Sequence, residues 1–175
     1  MNTIIIILVS LIVILLVNEL FQGIYRQIQR NKIYKMAEDR SREINKPLVV
    51  IGDPYNGYGS KFYNKFMLGY GCGDVTIDLT GCPQCPNGVK MDIYEYLKTQ
   101  DDKSQVIFIS CVLEYIDNID AVIKELYRVA GKDNLFIVTV KKLSLAAYIY
   151  QEANYGAKNL IKAPPKYETI TWQPL

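Results

Sequence analysis

The sequence predicts an α/β domain with a mainly parallel sheet, set behind an N-terminal helix that crosses a membrane. Three observations carry this expectation. Apolar runs without polar alternation (PLVVIG, DVTIDLTG, SQVIFIS and NLFIVTV) are separated by stretches with helical spacing. Runs of that kind suit strands buried on both faces, and strand-helix alternation argues for βαβ units with right-handed crossovers. The run TIIIILVSLIVILLV (residues 3–17) carries no charge. Finally, 175 residues, half of them hydrophobic and with a formal net charge of +2, suit one modest domain plus an accessory segment.

Extended through NELFQGIY, the uncharged run gives enough helix to cross a bilayer core of about 30 Å at 1.5 Å per residue. A signal peptide would place basic residues before the apolar stretch and small residues after it. Only Met1 and Asn2 precede it, and no small cleavage residues follow Val17. A core helix would show a polar face, whereas residues 4–17 offer only Ser10. The expectation is a single-pass anchor contacting the lipid bilayer through residues 3–25, a basic juxtamembrane linker or helix over 26–46, and a domain over 47–175. The flank holds Arg26, Arg30, Lys32, Lys35, Arg40, Arg42 and Lys46 against Glu38, Asp39 and Glu43, and no Lys or Arg precedes the helix. Positive-inside bias then places the C-terminal domain in the cytoplasm or an equivalent compartment. The interspersed acids keep the flank below a true polybasic cluster, so it reads as a topology signal on a solvated helix.

Of the 20 basic and 18 acidic residues, 13 and 14 lie after Lys46, a balance without the footprint of nucleic-acid binding. The absence of histidine removes Ser-His and Cys-His nucleophilic catalysis. Four cysteines without a dense spacing pattern do not suggest a disulfide-stapled module, which favours a reducing compartment. A composition rich in Ile, Asn, Lys and Tyr fits an AT-rich genome, such as a viral one, with a viral or host internal membrane as the location.

Taken in order, residues 47–52 form the first strand and SKFYNKFMLGYG a short helix. DVTIDLTG (74–81) is a second strand closing on Asp78. After the proline-rich turn CPQCPNG, VKMDIYEYLKTQ reads as a strand edge entering a helix, with Asp92 near the junction. Residues 105–110 are a third strong strand. NIDAVIKELYRVAG sets Ile119, Val122, Ile123, Leu126 and Val129 at helical spacing, with Gly131 as the stop. Residues 134–140 are another strand. The remainder offers one helix over 143–154 and an edge strand ETITW, which leaves little chain for further strands and predicts a truncated C-terminal edge.

In such a sheet the ligand lies beyond the carboxyl ends of the strands, near the reversal of strand order. Those ends hold Gly52, Asp53, Asn56 and Gly57, then Asp78 and Leu79, then Ser110 and Cys111. Asp78 stands about 25 residues after the glycine turn, where an acid can accept ribose hydroxyls. Gly52 and Gly57 have the spacing of a phosphate-binding loop, but Tyr58-Gly59 replaces its Lys-Ser/Thr. GYGCG (69–73) precedes a strand instead of following one and reads as a loop. Cys82 and Cys85 form a CxxC pair. Cys72 and Cys111 are the only cysteines left to complete a four-ligand zinc site and form no second knuckle, so a plain turn is expected and no metal.

On these residues the chain resembles class I S-adenosylmethionine-dependent methyltransferases, of the type 11-like group. VLEYIDNIDAVIKELYRVAGKDNLFIVTV looks like their second half, TIDLTG like their second strand with its ribose-binding acid, and VKMDIYEYL like the segment whose Asp lies near the adenine amino group. The resemblance covers residues 47–141 and implies a Rossmann-like three-layer α/β/α fold. It also implies S-adenosylmethionine as cofactor, with Asp78 on the ribose, Asp92 and Ile93 near the adenine, and residues 52–57 around the methionine. The opening loop departs from the pattern: Val50 stands where the family has an acid, and Pro54 and Tyr55 where it has small residues. Two functions stay open. One is a methyltransferase acting on a membrane-proximal lipid or protein; the other is a pseudoenzyme serving as a membrane-tethered structural or interaction component. No catalytic residue is assigned.

Overall fold

The computed structural model describes residues 2–55 and 71–138. Five strands, β1 (Leu48–Ile51), β2 (Val75–Asp78), β3 (Gly88–Lys90), β4 (Val106–Ser110) and β5 (Leu135–Val138), form one sheet in the order β3-β2-β1-β4-β5. Every pairing is parallel. Strand order therefore reverses between β1 and β4, where Val50 lies opposite Phe108 and Ile51 opposite Ile109. Among the described residues three α-helices, α1 (Asn2–Ile44), α2 (Ile93–Lys98) and α3 (Ile119–Ala130), accompany the sheet. This mixed α/β architecture with an all-parallel sheet is consistent with a Rossmann-like fold.

Period-two alternation divides the strands between two cores. Val49, Ile51, Ile77, Ile107, Ile109, Leu135 and Ile137 face α2 and α3, meeting Leu97, Val122, Leu126 and Val129. Leu48, Val50, Val106, Phe108, Phe136 and Val138 point to the opposite face. Both sides are covered by helix, which is why these strands read as unbroken apolar runs. Helix α3 presents Val122, Ile123, Leu126, Val129 and Ala130 to the core and stops at Gly131, as its spacing predicts. Arg128 ties α3 to the α2–β4 connection: Nη2 donates to the Leu97 carbonyl at 2.7 Å, and Nη1 to that of Gln100 at 2.8 Å.

The second face is covered by α1. Ile33, Ala37 and Ser41 are buried along one stripe, with Tyr34, Met36 and Ile44 packed beside them. The Tyr34 ring meets Phe108 edge to face, centroids 5.5 Å apart. The expectation of a solvated juxtamembrane helix is thus replaced by a structural layer, because the charges lie outside the i, i+4 stripe 33-37-41 that faces the sheet. A turn with Asn45 at φ 51° joins α1 directly to β1, and Ser41 Oγ donates to the Lys46 carbonyl at 2.6 Å to close it. So short a connection makes α1 run antiparallel to the strands.

Among the described residues no helix is long and apolar enough to cross a membrane. Residues 3–18 of α1, the uncharged stretch before Glu19, extend about 24 Å at 1.5 Å per residue. Their large apolar side chains are all exposed, for example Ile4 at 65% and Leu16 at 63%. Residues 60–70 of the expected helix over 60–71, strand residues Thr139 and Val140, and the expected elements after them lie outside the described residues, and Gly71 itself is not helical.

Candidate functional site

The carboxyl ends of β1, β2, β3 and β4 bring most of the sequence-nominated residues to one edge of the sheet. Gly52 follows β1 at φ +99°, a conformation costly for any residue with a Cβ. A Cβ there would stand 2.8 Å from Val112 Cγ2 and 3.4 Å from the Ser110 carbonyl. The glycine thus lets the β1 loop close against the end of β4. Its N–H donates to the Ile77 carbonyl at 2.8 Å, prolonging the β1–β2 ladder by one residue.

Asp78, half-buried at the end of β2, is the hub of this edge. Its Oδ2 accepts the Asp53 N–H at 3.1 Å, while Oδ1 accepts the Thr80 N–H at 2.8 Å and the Thr80 hydroxyl at 2.6 Å. A carboxylate has about four acceptor positions. Three are filled by hydrogen bonds among the described residues, two on Oδ1 and one on Oδ2. Leu79 beside it is 68% exposed.

Asp53 is turned inward. Its Oδ1 accepts the Tyr55 N–H at 2.8 Å and the Cys82 thiol at 3.1 Å, and Pro54 is buried. Cys82 is itself buried, and burial first, then the proton it donates to Asp53, pushes its thiol up to about 12. Asp92 follows β3 and caps α2, its Oδ1 accepting the N–H groups of Tyr94 at 2.8 Å and Glu95 at 3.2 Å. Ile93 is buried in the α2 core and presents no side chain to the edge. Replacing Asp92 with Ala is expected to cost about 1 kcal/mol in denaturant unfolding through loss of this cap.

At the end of β4, Ser110 is buried and Cys111 takes φ +54°. The Cys111 N–H donates to the Val138 carbonyl at 2.8 Å, and the Arg30 guanidinium of α1 donates to its Sγ at 2.7 Å. Gly52, Asp53, Asp78, Leu79, Ser110 and Cys111 are thus grouped at the switch point, with Asp92 one strand further out. Asn56 and Gly57 lie outside the described residues. The edge suits the nucleoside half of a cofactor of the kind the resemblance implies: an acid at the end of β2 beside an exposed apolar side chain. In the β1 loop, Oδ1 of the acid is engaged by Cys82 and Tyr55, so this loop meets the cysteine turn through that oxygen.

Two features escaped the sequence. The cysteine turn is not a pair of free thiols: Cys85 is bonded to Cys72, with Cα atoms 5.6 Å apart, while Cys82 and Cys111 keep their thiols. The expectation of a plain turn without a disulfide fails for this pair, since parallel pairing of β2 with β3 brings the segment before β2 against the loop before β3. Arg30, which the sequence assigns only to topology, reaches the site. The burial stripe on the same helix was the signal that could have revealed it. Groups of three or more metal-ligating side chains are absent among the described residues. Comparison with protein-family models, curated proteins and solved structures gives no match.

Proposed function

We propose that the chain is a membrane-anchored domain of S-adenosylmethionine-dependent methyltransferase type, whose strand-end edge binds the nucleoside portion of its cofactor and whose methyl acceptor lies at the membrane. One observation carries this reading: a half-buried acid at the end of β2, hydrogen-bonded to the β1 loop at the reversal of strand order in a parallel β3-β2-β1-β4-β5 sheet. A bilayer anchor is supported by the charge-free run of residues 3–17, with Leu20 and Phe21 following after Asn18 and Glu19. The basic residues that follow it favour a cytoplasmic or equivalent side for the domain.

A second reading is favoured by the Asp53–Cys82 contact and the buried Pro54: the fold serves as a tethered scaffold without methyl transfer. Fold analogy does not decide between them. Calorimetric titration of the full chain in detergent micelles with S-adenosylmethionine, S-adenosylhomocysteine and adenosine does. The first reading expects micromolar binding of all three, weakened at least about tenfold, or 1.4 kcal/mol, by Asp78→Ala. Absence of heat from a folded chain overturns the first reading.

A further inference from the structure

Helix α1 fixes which way the candidate edge faces. Arg30 on α1 lies against Cys111 at the carboxyl end of β4, and Arg40 Nε donates to Asn134 Oδ1 at 2.9 Å, at the amino end of β5. Ten residues of helix cover about 15 Å, close to the length of a five-strand-residue β4 at about 3.3 Å per residue. The helix therefore lies along the strands in the opposite sense. Everything before Arg30, including the apolar run, projects beyond the carboxyl edge of the sheet.

The distances are short. If about 20 residues ending at Phe21 fill the hydrocarbon core, Arg30 stands about 14 Å above it, and the headgroup layer occupies about 5–8 Å of that gap. A second observation points the same way. Outside α1, the exposed large hydrophobic side chains among the described residues are Leu79 and Met91, following β2 and β3 respectively. Both sit on the carboxyl edge as neighbours, each following one member of the Asp78–Lys90 pair that ends the β2–β3 ladder.

From this we infer that the carboxyl edge of the sheet is a lipid-facing surface, with Leu79 and Met91 directed at the phospholipid headgroup layer and the candidate site opening toward it. The inference rests on the anchor reading above and narrows the partner to the lipid surface itself. A domain docked this way meets acceptors presented by the bilayer and turns its back, the amino edge bearing Asp101 and Lys103, to the aqueous phase.

The test uses the full chain with Trp172→Phe, so that one introduced tryptophan reports alone. Leu79→Trp and Met91→Trp mark the carboxyl edge, and Asp101→Trp the opposite one. Each is reconstituted into phosphatidylcholine/phosphatidylglycerol vesicles with and without a headgroup nitroxide lipid. Flotation comes first: a chain that stays out of the vesicle fraction overturns the anchor, and this inference with it. For a chain that floats, greater quenching at 79 and 91 than at 101 is the expected result. Equal quenching, or more at 101, overturns the orientation and leaves the anchor standing. Two carboxyl-edge positions keep the comparison available if one variant fails to fold.

Discussion

Phe108→Ala is expected to lower the unfolding free energy by about 3–5 kcal/mol, the range for removing a buried aromatic ring from a core. Phe108 is fully buried at the middle of β4, between β1 and β5, and its ring points to α1. The strands on either side are held by parallel ladders, so the sheet cannot close over the missing ring. Helix α1 could follow only by giving up the Arg30, Tyr34 and Arg40 contacts that fix its register. Most of the cavity therefore persists, and its cost adds to the lost transfer free energy. Tyr34→Phe provides the comparison. It keeps the edge-to-face ring and loses only the hydroxyl donated to the Cys72 carbonyl at 3.0 Å, for about 1 kcal/mol. Urea unfolding of the full chain in micelles reads both. A Phe108→Ala cost below that of Tyr34→Phe would mean that α1 does not cover this face.

The same residues explain what the sequence could and could not disclose. Val49, Ile107 and Ile137 are apolar for one core and Val50, Phe108 and Val138 for the other, so the strands were legible as unbroken runs whose bounds hold within a residue or two at most ends. Helix α3 was legible because its buried positions repeat at helical spacing and Gly131 ends it. The stripe of Ile33, Ala37 and Ser41 was present in the same form, but it is interleaved with seven basic residues between 26 and 46, which read more readily as a topology signal. At the site, chain position located the acids without their hydrogen bonds. Asp78 and Asp92 stand where βαβ logic puts them, whereas the engagement of Asp78 by Thr80, of Asp92 by the α2 N-terminus and of Asp53 by Cys82 depends on loop geometry. The Cys72–Cys85 bond depends on the pairing of β2 with β3, which spacing alone does not encode.

Removing that bond by Cys72→Ser or Cys85→Ser is expected to destabilise the domain by about 3 kcal/mol, from the loop-closure entropy returned to the unfolded chain over a separation of 13 residues. Cys82→Ser keeps a donor toward Asp53 and should cost no more than about 1 kcal/mol. Thiol labelling separates the four cysteines without reductant. Cys111, half-exposed beside Arg30, reacts first. Cys82 reacts slowly, being buried and protonated up to about pH 12, and Cys72 and Cys85 do not react. Four reactive thiols in the folded chain would show that the bond does not form. The pH dependence has a definite sign. An unfolded Cys82 ionises near 9.0 and the folded one near 12, so its contribution is fully present below pH 9 and is lost as the pH rises through 12. Cys82→Ser should therefore flatten the alkaline fall in stability. Asp53→Ala removes both the acceptor and the charge that follow burial as causes of the shift and should speed labelling of Cys82, which would establish that the β1 loop and the cysteine turn hold one another in place.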